Sequence, residues 1–287
     1  MCKGGLGNQM FQYALYRKYI EMGVDTRIST YHYLQETGMM PFMLPEVFPN
    51  LQIKYLEDDK IRKNFLKRNN NRSFLRKAIE KINPKLRSYV VEKKEMNFSK
   101  RYLKYKNAVL DGYWQTNKYW KDIEQSIKKE FEFVQVDNKD FLRLKEFIIT
   151  HKCTSIHIRR GDYLKEEKRK MYGNICTSDY YRKAVEYIEC QEEQEFYIVF
   201  TDDKAWVKEH FYTPKIVFAS DYLKGVYPDW YELCLQSYCT NNIIANSTFS
   251  WWAAYLNANP KRVVVAPKIW INNRNTKDVW PSDWVKL

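Results

Sequence analysis

The chain has 287 residues, room for two domains of ordinary size with a core each. Its 23 Tyr, 15 Phe and 9 Trp exclude a disordered chain, and no apolar run approaches the ~20 residues that cross a bilayer. The net charge of +13 is uneven, because residues 60–106 hold 17 Lys and Arg against three Glu while the rest is close to neutral.

The chain opens with Gly4-Gly5-Leu6-Gly7-Asn8-Gln9, which departs from the GxGxxG dinucleotide fingerprint. Only three residues precede it, too few for a full first strand, and no signal peptide is visible ahead of it. Glycines there let a backbone approach a ligand, and the following helix start attracts anionic oxygens; a tight helix-entry turn explains the same residues. The pattern predicts a helix from Asn8 to Met22 with Phe11, Leu15, Tyr19 and Met22 facing inward and Gly23 as its stop. From about Thr30 to Lys106 no clear period appears, although Phe65, Phe74, Leu75, Ile79 and Ile82 recur at roughly helical spacing within the basic stretch. That stretch reads as a solvated helical face, as a contact for an anionic membrane surface, or as a contact for an acidic acceptor. No nucleic-acid recognition motif accompanies it. Two more helices are expected over Lys118–Phe133 and Asp140–His151.

From about residue 150 strands and helices alternate. Strands are expected at Thr154–Ile158, Phe196–Phe200, Ile216–Ala219, Asn242–Ala245 and Arg262–Ala266, and helices at Ser178–Cys190, Asp229–Tyr238 and Phe249–Leu256, with a short one from Asp203. Continuous apolar runs between helices predict a parallel sheet covered on both faces, an α/β, Rossmann-like domain whose ligands lie at the carboxyl ends of the strands. The polar motifs fall at those ends. His157-Ile-Arg159-Arg160-Gly161-Asp162 offers two guanidinium groups suited to diphosphate oxygens, with Asp162 as ion-pair partner or base. Asp202 and Asp203 could accept bonds from a guanine or a ribose hydroxyl, a reading preferred over metal binding because they lack DxD spacing. Asn246-Ser247-Thr248-Phe249-Ser250 enters a helix, where the hydroxyls can cap it and also hold a phosphate. The six cysteines lack CxxC spacing, so neither a disulfide framework nor a zinc site is expected, and a reduced cytosolic protein is.

Several separated segments, GGLGNQMFQYALYR, LDGYWQTNKYW, HIRRGDY, FYIVFTDD, NSTFSWWAAYLN and APKIWINN, together resemble glycosyltransferase family 11, the α-1,2-fucosyltransferases. The resemblance implies a GT-B architecture of two Rossmann-like domains, with residues 1–150 on the acceptor side and 151–287 binding GDP-fucose. It implies inverting transfer of fucose to the 2-hydroxyl of a terminal β-galactoside in a cell-surface glycan, with no metal or other cofactor. A different acceptor or linkage is the alternative, and a non-catalytic basic protein binding nucleic acid or membrane a more remote one. Carried over to this chain, Arg159 would hold the donor diphosphate, supported by Arg160, while His157 and Asp202 or Asp203 would contact guanine or ribose. Asn246, Ser247, Thr248 and Ser250 would bind the donor's phosphate side, Gly5, Gly7 and Asn8 would close over the donor, and Asp162 is the candidate general base. The expected partners are GDP-fucose and a galactose-containing glycan, with no nucleic acid. The expected location is cytoplasmic, with residues 60–106 as a peripheral contact to the inner membrane face.

Overall fold

The computed structural model describes residues 1–35, 40–56, 63, 88–93, 96–211 and 213–287. Most of the basic stretch, with the helical spacing expected for Phe65, Phe74, Leu75, Ile79 and Ile82, lies outside the described residues. The chain divides into two compact units, Met1–Glu132 with Lys277–Val279, and Phe133–Thr276 with Trp280–Leu287. Among the described residues no helix is long and apolar enough to cross a membrane.

In the first unit helix α1 (Leu6–Glu21) starts directly after the glycine run. Gly4 has φ +82°, and a Cβ there would lie 2.7 Å from the Asn8 side-chain nitrogen, so only glycine fits that entry turn. Phe11, Leu15 and Tyr19 are buried as expected, but Met22 is 38% exposed. The helix ends one residue earlier than expected, so Met22 caps it rather than packing beneath it. Strands β1 (Tyr89–Val91) and β2 (Val109–Asp111) pair in parallel. Residues 1–2 run beside them without forming a regular strand: the Met1 nitrogen donates to Leu110 O at 2.8 Å and Cys2 N to Ser29 O at 2.9 Å. The single helix expected over Lys118–Phe133 is instead two short 3₁₀ turns followed by α2 (Glu124–Glu130). Fully buried Trp120 interrupts it with φ −139° and ψ 17°, a backbone no helix continues through, so packing of that indole overrides local helix preference.

The second unit is the α/β domain that the alternating pattern predicts. Helix α3 (Lys139–Thr150) leads into β3 (Cys153–Ile158), which is buried along its whole length. There follow α4 (Glu166–Tyr172), α5 (Ser178–Gln191), β4 (Phe196–Thr201), α6 (Lys204–His210), β5 (Ile216–Phe218) and α7 (Trp230–Ser237). β6 (Asn241–Ile243), α8 (Thr248–Leu256), β7 (Val264–Ala266) and a two-residue β8 (Val285–Lys286) complete it. All six strands run parallel in the order β5-β4-β3-β6-β7-β8. Chain direction across the sheet therefore reverses between β3 and β6, which opens a crevice at their carboxyl ends.

The two sheet faces are packed differently. Ile156 and Ile158 of β3 join Tyr180, Tyr181, Ala184 and Ile188 of α5 and Val207 of α6 in one apolar cluster. Alternation sends Ser155 and His157 to the opposite face. There the Asn242 side-chain amide donates to Ser155 Oγ at 2.7 Å and to Gln236 O of α7 at 2.8 Å, and the His157 ring lies 5.7 Å from that of Phe249 in α8. Helix α8 is buried on nearly every side, with Trp251 stacked on Tyr255 at 4.8 Å. Each such aromatic stabilises the fold by about 1.5–3 kcal/mol, which fixes the position of the helix start in the crevice.

Candidate active site

The loop after β3 is held by acids from the end of β4. Asp202 accepts the backbone N–H of Arg160 at 2.9 Å and of Gly161 at 3.0 Å, one on each carboxylate oxygen. A Cβ at position 161 would stand 2.9 Å from Asp202 Oδ2, so this close approach requires glycine. Asp203 accepts from Trp206 N at 3.0 Å, capping α6, and from Arg160 Nε at 2.9 Å. The Trp206 amide and then Arg160 hold the Asp203 carboxyl below the usual range. The Arg160 guanidinium also lies 4.3 Å above the Trp206 ring, which fixes its plane.

Arg159 is the first residue after β3. Its Nε donates to Asp162 Oδ1 at 2.9 Å and lies 3.7 Å from Asp202 Oδ2, and its side chain is 42% exposed. Lys168 of α4 donates to the other Asp162 oxygen at 2.6 Å. Burial works against charge on Asp162, but Lys168 and Arg159 outweigh it and keep the carboxyl below its ordinary range. Asp162 is thus a committed anion and a weak base.

His157 is 5% exposed, and burial first, then the Arg159 charge, lowers its pKa to about 3, so the ring is neutral. Its Nδ1 is buried and has no hydrogen-bond partner among the described residues. At the end of β6, Asn246 is 3% exposed and its amide donates to Tyr172 O and Trp270 O, both at 3.3 Å. Ser247 caps α8 through Phe249 N at 3.4 Å, Thr248 is half-buried, and Ser250 is fully buried with its hydroxyl on Ser247 O at 3.4 Å. The capping role expected here is therefore present, while the Ser250 hydroxyl points back into its own helix turn.

Arg159, Arg160 and Asn246 line one cavity of about 230 Å³, together with Tyr163, Cys176 and Trp206. Asp202 and Asp203 hold Arg160, which lines it, and His157 lies at the same sheet edge near the end of β3. Gly5, Gly7 and Asn8 belong to the first unit, where Gly5 begins α1 and the Asn8 side-chain oxygen accepts from Gln115 at 2.8 Å. Among the described residues no group of three or more His, Cys, Asp or Glu could hold a metal ion.

Sequence reasoning missed four residues at this edge. Tyr163, at the end of HIRRGDY, donates from its hydroxyl to Asn246 O at 3.1 Å and so ties the β3 loop to the β6 loop across the crevice. Lys168 and Trp206 carried no motif signal; only their place in helices that start at the carboxyl edge marks them. Glu232, in the first turn of α7, stands at this edge as well.

The family model for glycosyl transferase family 11 matches residues 1–287. The chain belongs to glycosyltransferase family 11. An alpha-1,2-colitosyltransferase of Escherichia coli is 30% identical over 293 residues, covering 99% of this chain and 96% of that one. The O-antigen biosynthesis glycosyltransferase WbnK of Escherichia coli is 37% identical over 134 residues, 47% of this chain and 44% of WbnK. Human galactoside alpha-(1,2)-fucosyltransferase 1 is 31% identical over 103 residues, 35% of this chain and 28% of the human one. A crystal structure of POFUT1 in complex with GDP aligns over 92% of this chain and 96% of its own with TM-score 0.47 at 12% identity. As a family 11 glycosyltransferase the chain uses a nucleotide-sugar donor and a glycan acceptor, with fucosyltransferase-like activity.

Proposed function

We propose that this glycosyltransferase moves L-fucose from GDP-β-L-fucose to the 2-hydroxyl of a terminal β-galactoside of a cell-surface glycan, with inversion and without a metal. The observation that best supports the reading is the position of Arg159. Its guanidinium sits beside the β3–β6 crevice, where α8 also begins, and the Asp202 latch fixes the loop that carries it. As the bond between fucose C1 and the diphosphate breaks, negative charge grows on the leaving oxygen. A preorganised guanidinium and helix N–H groups stabilise that charge most in the transition state, which is what accelerates the step. Arg160, over the Trp206 ring, would hold the second phosphate. His157, neutral and with no partner for Nδ1 among the described residues, suits a hydrogen bond to donor base or ribose. The reading includes a GT-B arrangement with the acceptor side in the first unit.

A second reading keeps the diphosphate chemistry and changes the sugar. The colitosyltransferase likeness over 99% of the chain favours colitose, the 3-deoxy counterpart of fucose, as the transferred group. Both readings go with a cytoplasmic enzyme whose residues 60–106 meet an anionic lipid surface, supported by 17 basic against three acidic residues there.

The test is GDP release from GDP-fucose and from GDP-colitose, each with lactose or N-acetyllactosamine and with EDTA present. Acceptor-dependent release from GDP-fucose is expected. Release from GDP-colitose alone would move the donor to the second reading, and release from neither would refute both.

A further inference from the structure

Helix α7 brings to the crevice an acid that no motif marks. The chain leaves β5 at the carboxyl edge of the sheet, and α7 runs back from there towards the start of β6. The first turn of α7, with Glu232, therefore lies at the edge where β3 and β6 deliver Arg159 and Asn246. The helix covers the His157 face, as the bonds from Asn242 to Gln236 O and Ser155 Oγ fix. Arg159 follows β3 directly, two residues beyond His157.

The Glu232 carboxylate has one hydrogen bond, from the Tyr227 hydroxyl to Oε1 at 2.9 Å; among the described residues its Oε2 has none. Besides Tyr227 from the preceding loop, three charged groups act on it: Asp229 at the start of its own helix, Asp202 just after β4 and Arg159 just after β3. Burial is the largest influence and raises its pKa to about 7, with the Tyr227 bond and Arg159 pulling down and the two aspartates pushing up. Two of the acids near Arg159 are thus set apart: Asp162 is tied to Arg159 and Lys168 as an anion, whereas burial raises the pKa of Glu232 to about 7. Such a split assigns roles, because a base works best when its pKa lies near the working pH.

We propose that Glu232 is the general base of the transfer, taking the proton of the attacking acceptor hydroxyl. The inference rests on the sugar-transfer reading above. In the step the acceptor oxygen forms its bond to the sugar C1 while the bond from C1 to the diphosphate oxygen breaks. That bond's electron pair leaves with GDP, and the hydroxyl proton passes to Glu232 Oε2 and then to solvent.

The test is kcat against pH with N-acetyllactosamine and whichever of GDP-fucose or GDP-colitose supports turnover. Wild type is expected to lose kcat on the acid side of a pKa near 7. Glu232→Gln is expected to lower kcat about 10²–10⁴-fold and abolish that limb, with KM for the donor changed by no more than about threefold. Glu232→Asp should restore part of kcat and the limb. Tyr227→Phe keeps the acid and removes the bond that lowers its pKa, so the limb should move to higher pH. Glu232→Gln keeping kcat or the acid limb overturns the proposal. If that variant gives no folded protein, an unmoved limb in Tyr227→Phe overturns it instead. A wild type that transfers no sugar from either donor overturns the sugar-transfer reading, and the proposal with it.

Discussion

Arg159 Nε and the Asp162 carboxylate form an ion pair at 2.9 Å, three residues apart on the loop that closes β3. The pair sets the direction of the guanidinium, and Lys168 on the far oxygen stops Asp162 from turning away. With Glu232 proposed as the base, Asp162 takes the other role that the motif suggested, that of ion-pair partner positioning Arg159. Arg159→Ala is expected to cut kcat about 10²–10³-fold, and its 42% exposed side chain implies little change in melting temperature. Asp162→Asn keeps an oxygen for Arg159 and should lose about tenfold or less, with an unchanged pH profile. Loss of the acid limb in Asp162→Asn would return the base role to it.

The Asp202 latch depends on Gly161 having no side chain. Gly161→Ala puts a Cβ 2.9 Å from Asp202 Oδ2, so one of the two backbone bonds must open. The expected cost is about 1–3 kcal/mol, or roughly 2–4 °C in melting temperature per kcal/mol. Weaker GDP binding should accompany it, because Arg159 and Arg160 immediately precede the displaced residue. Calorimetric melting and GDP titration of the variant check both.

Arg160 depends on Trp206 for its plane. Trp206→Ala should weaken GDP binding while Trp206→Phe largely preserves it, since a smaller ring still offers the guanidinium a face worth about 0.5–2 kcal/mol. Equal loss in the two variants would mean that shape, not the ring, holds Arg160.

Glu92 makes stability fall with rising pH. Burial raises its pKa from 4.5 to about 7, against the pull of the Trp114 and Tyr113 amides and Lys3. Its Oε2 accepts both amides, at 3.0 and 2.7 Å, while Oε1 is buried with no partner among the described residues. The folded protein therefore holds a proton that the unfolded chain has released between pH 4.5 and about 7. The stabilisation is complete below that window and lost as pH rises through it. Glu92→Gln should melt higher than wild type at pH 8 and lose that advantage towards pH 5. An advantage that does not change with pH would contradict the assignment.

Residues 60–106 should bind vesicles containing anionic lipid, and added salt should release them, because each basic residue near such a surface contributes about 1 kcal/mol. Sedimentation with neutral and anionic vesicles reads this directly, and equal weak binding to both would remove the membrane role.

The sequence foretold the second unit well for a physical reason. Strands buried on both faces must be apolar throughout, so Ile156–Ile158 and Tyr197–Phe200 stand out without tertiary knowledge. β8 escaped notice because Val285–Lys286 is two residues long and owes its place to neighbours. Near residue 120 the burial of one indole broke a helix that local preference favours. At the site, the Arg159–Asp162 pair is legible at a spacing of three. The Asp202–Gly161 bond spans 41 residues and the Tyr163–Asn246 bond 83, so neither leaves a local trace. Glu232 lies beside no motif, and only the direction of α7 across the sheet brings it to the crevice.

The most direct measurement is the nuclear magnetic resonance spectrum of the glycan formed from GDP-β-L-fucose and N-acetyllactosamine. The account predicts one new residue, α-linked to galactose O2, made by wild type and not by Arg159→Ala. A β-linked product, or an Arg159→Ala enzyme making the same product at the wild-type rate, would contradict it.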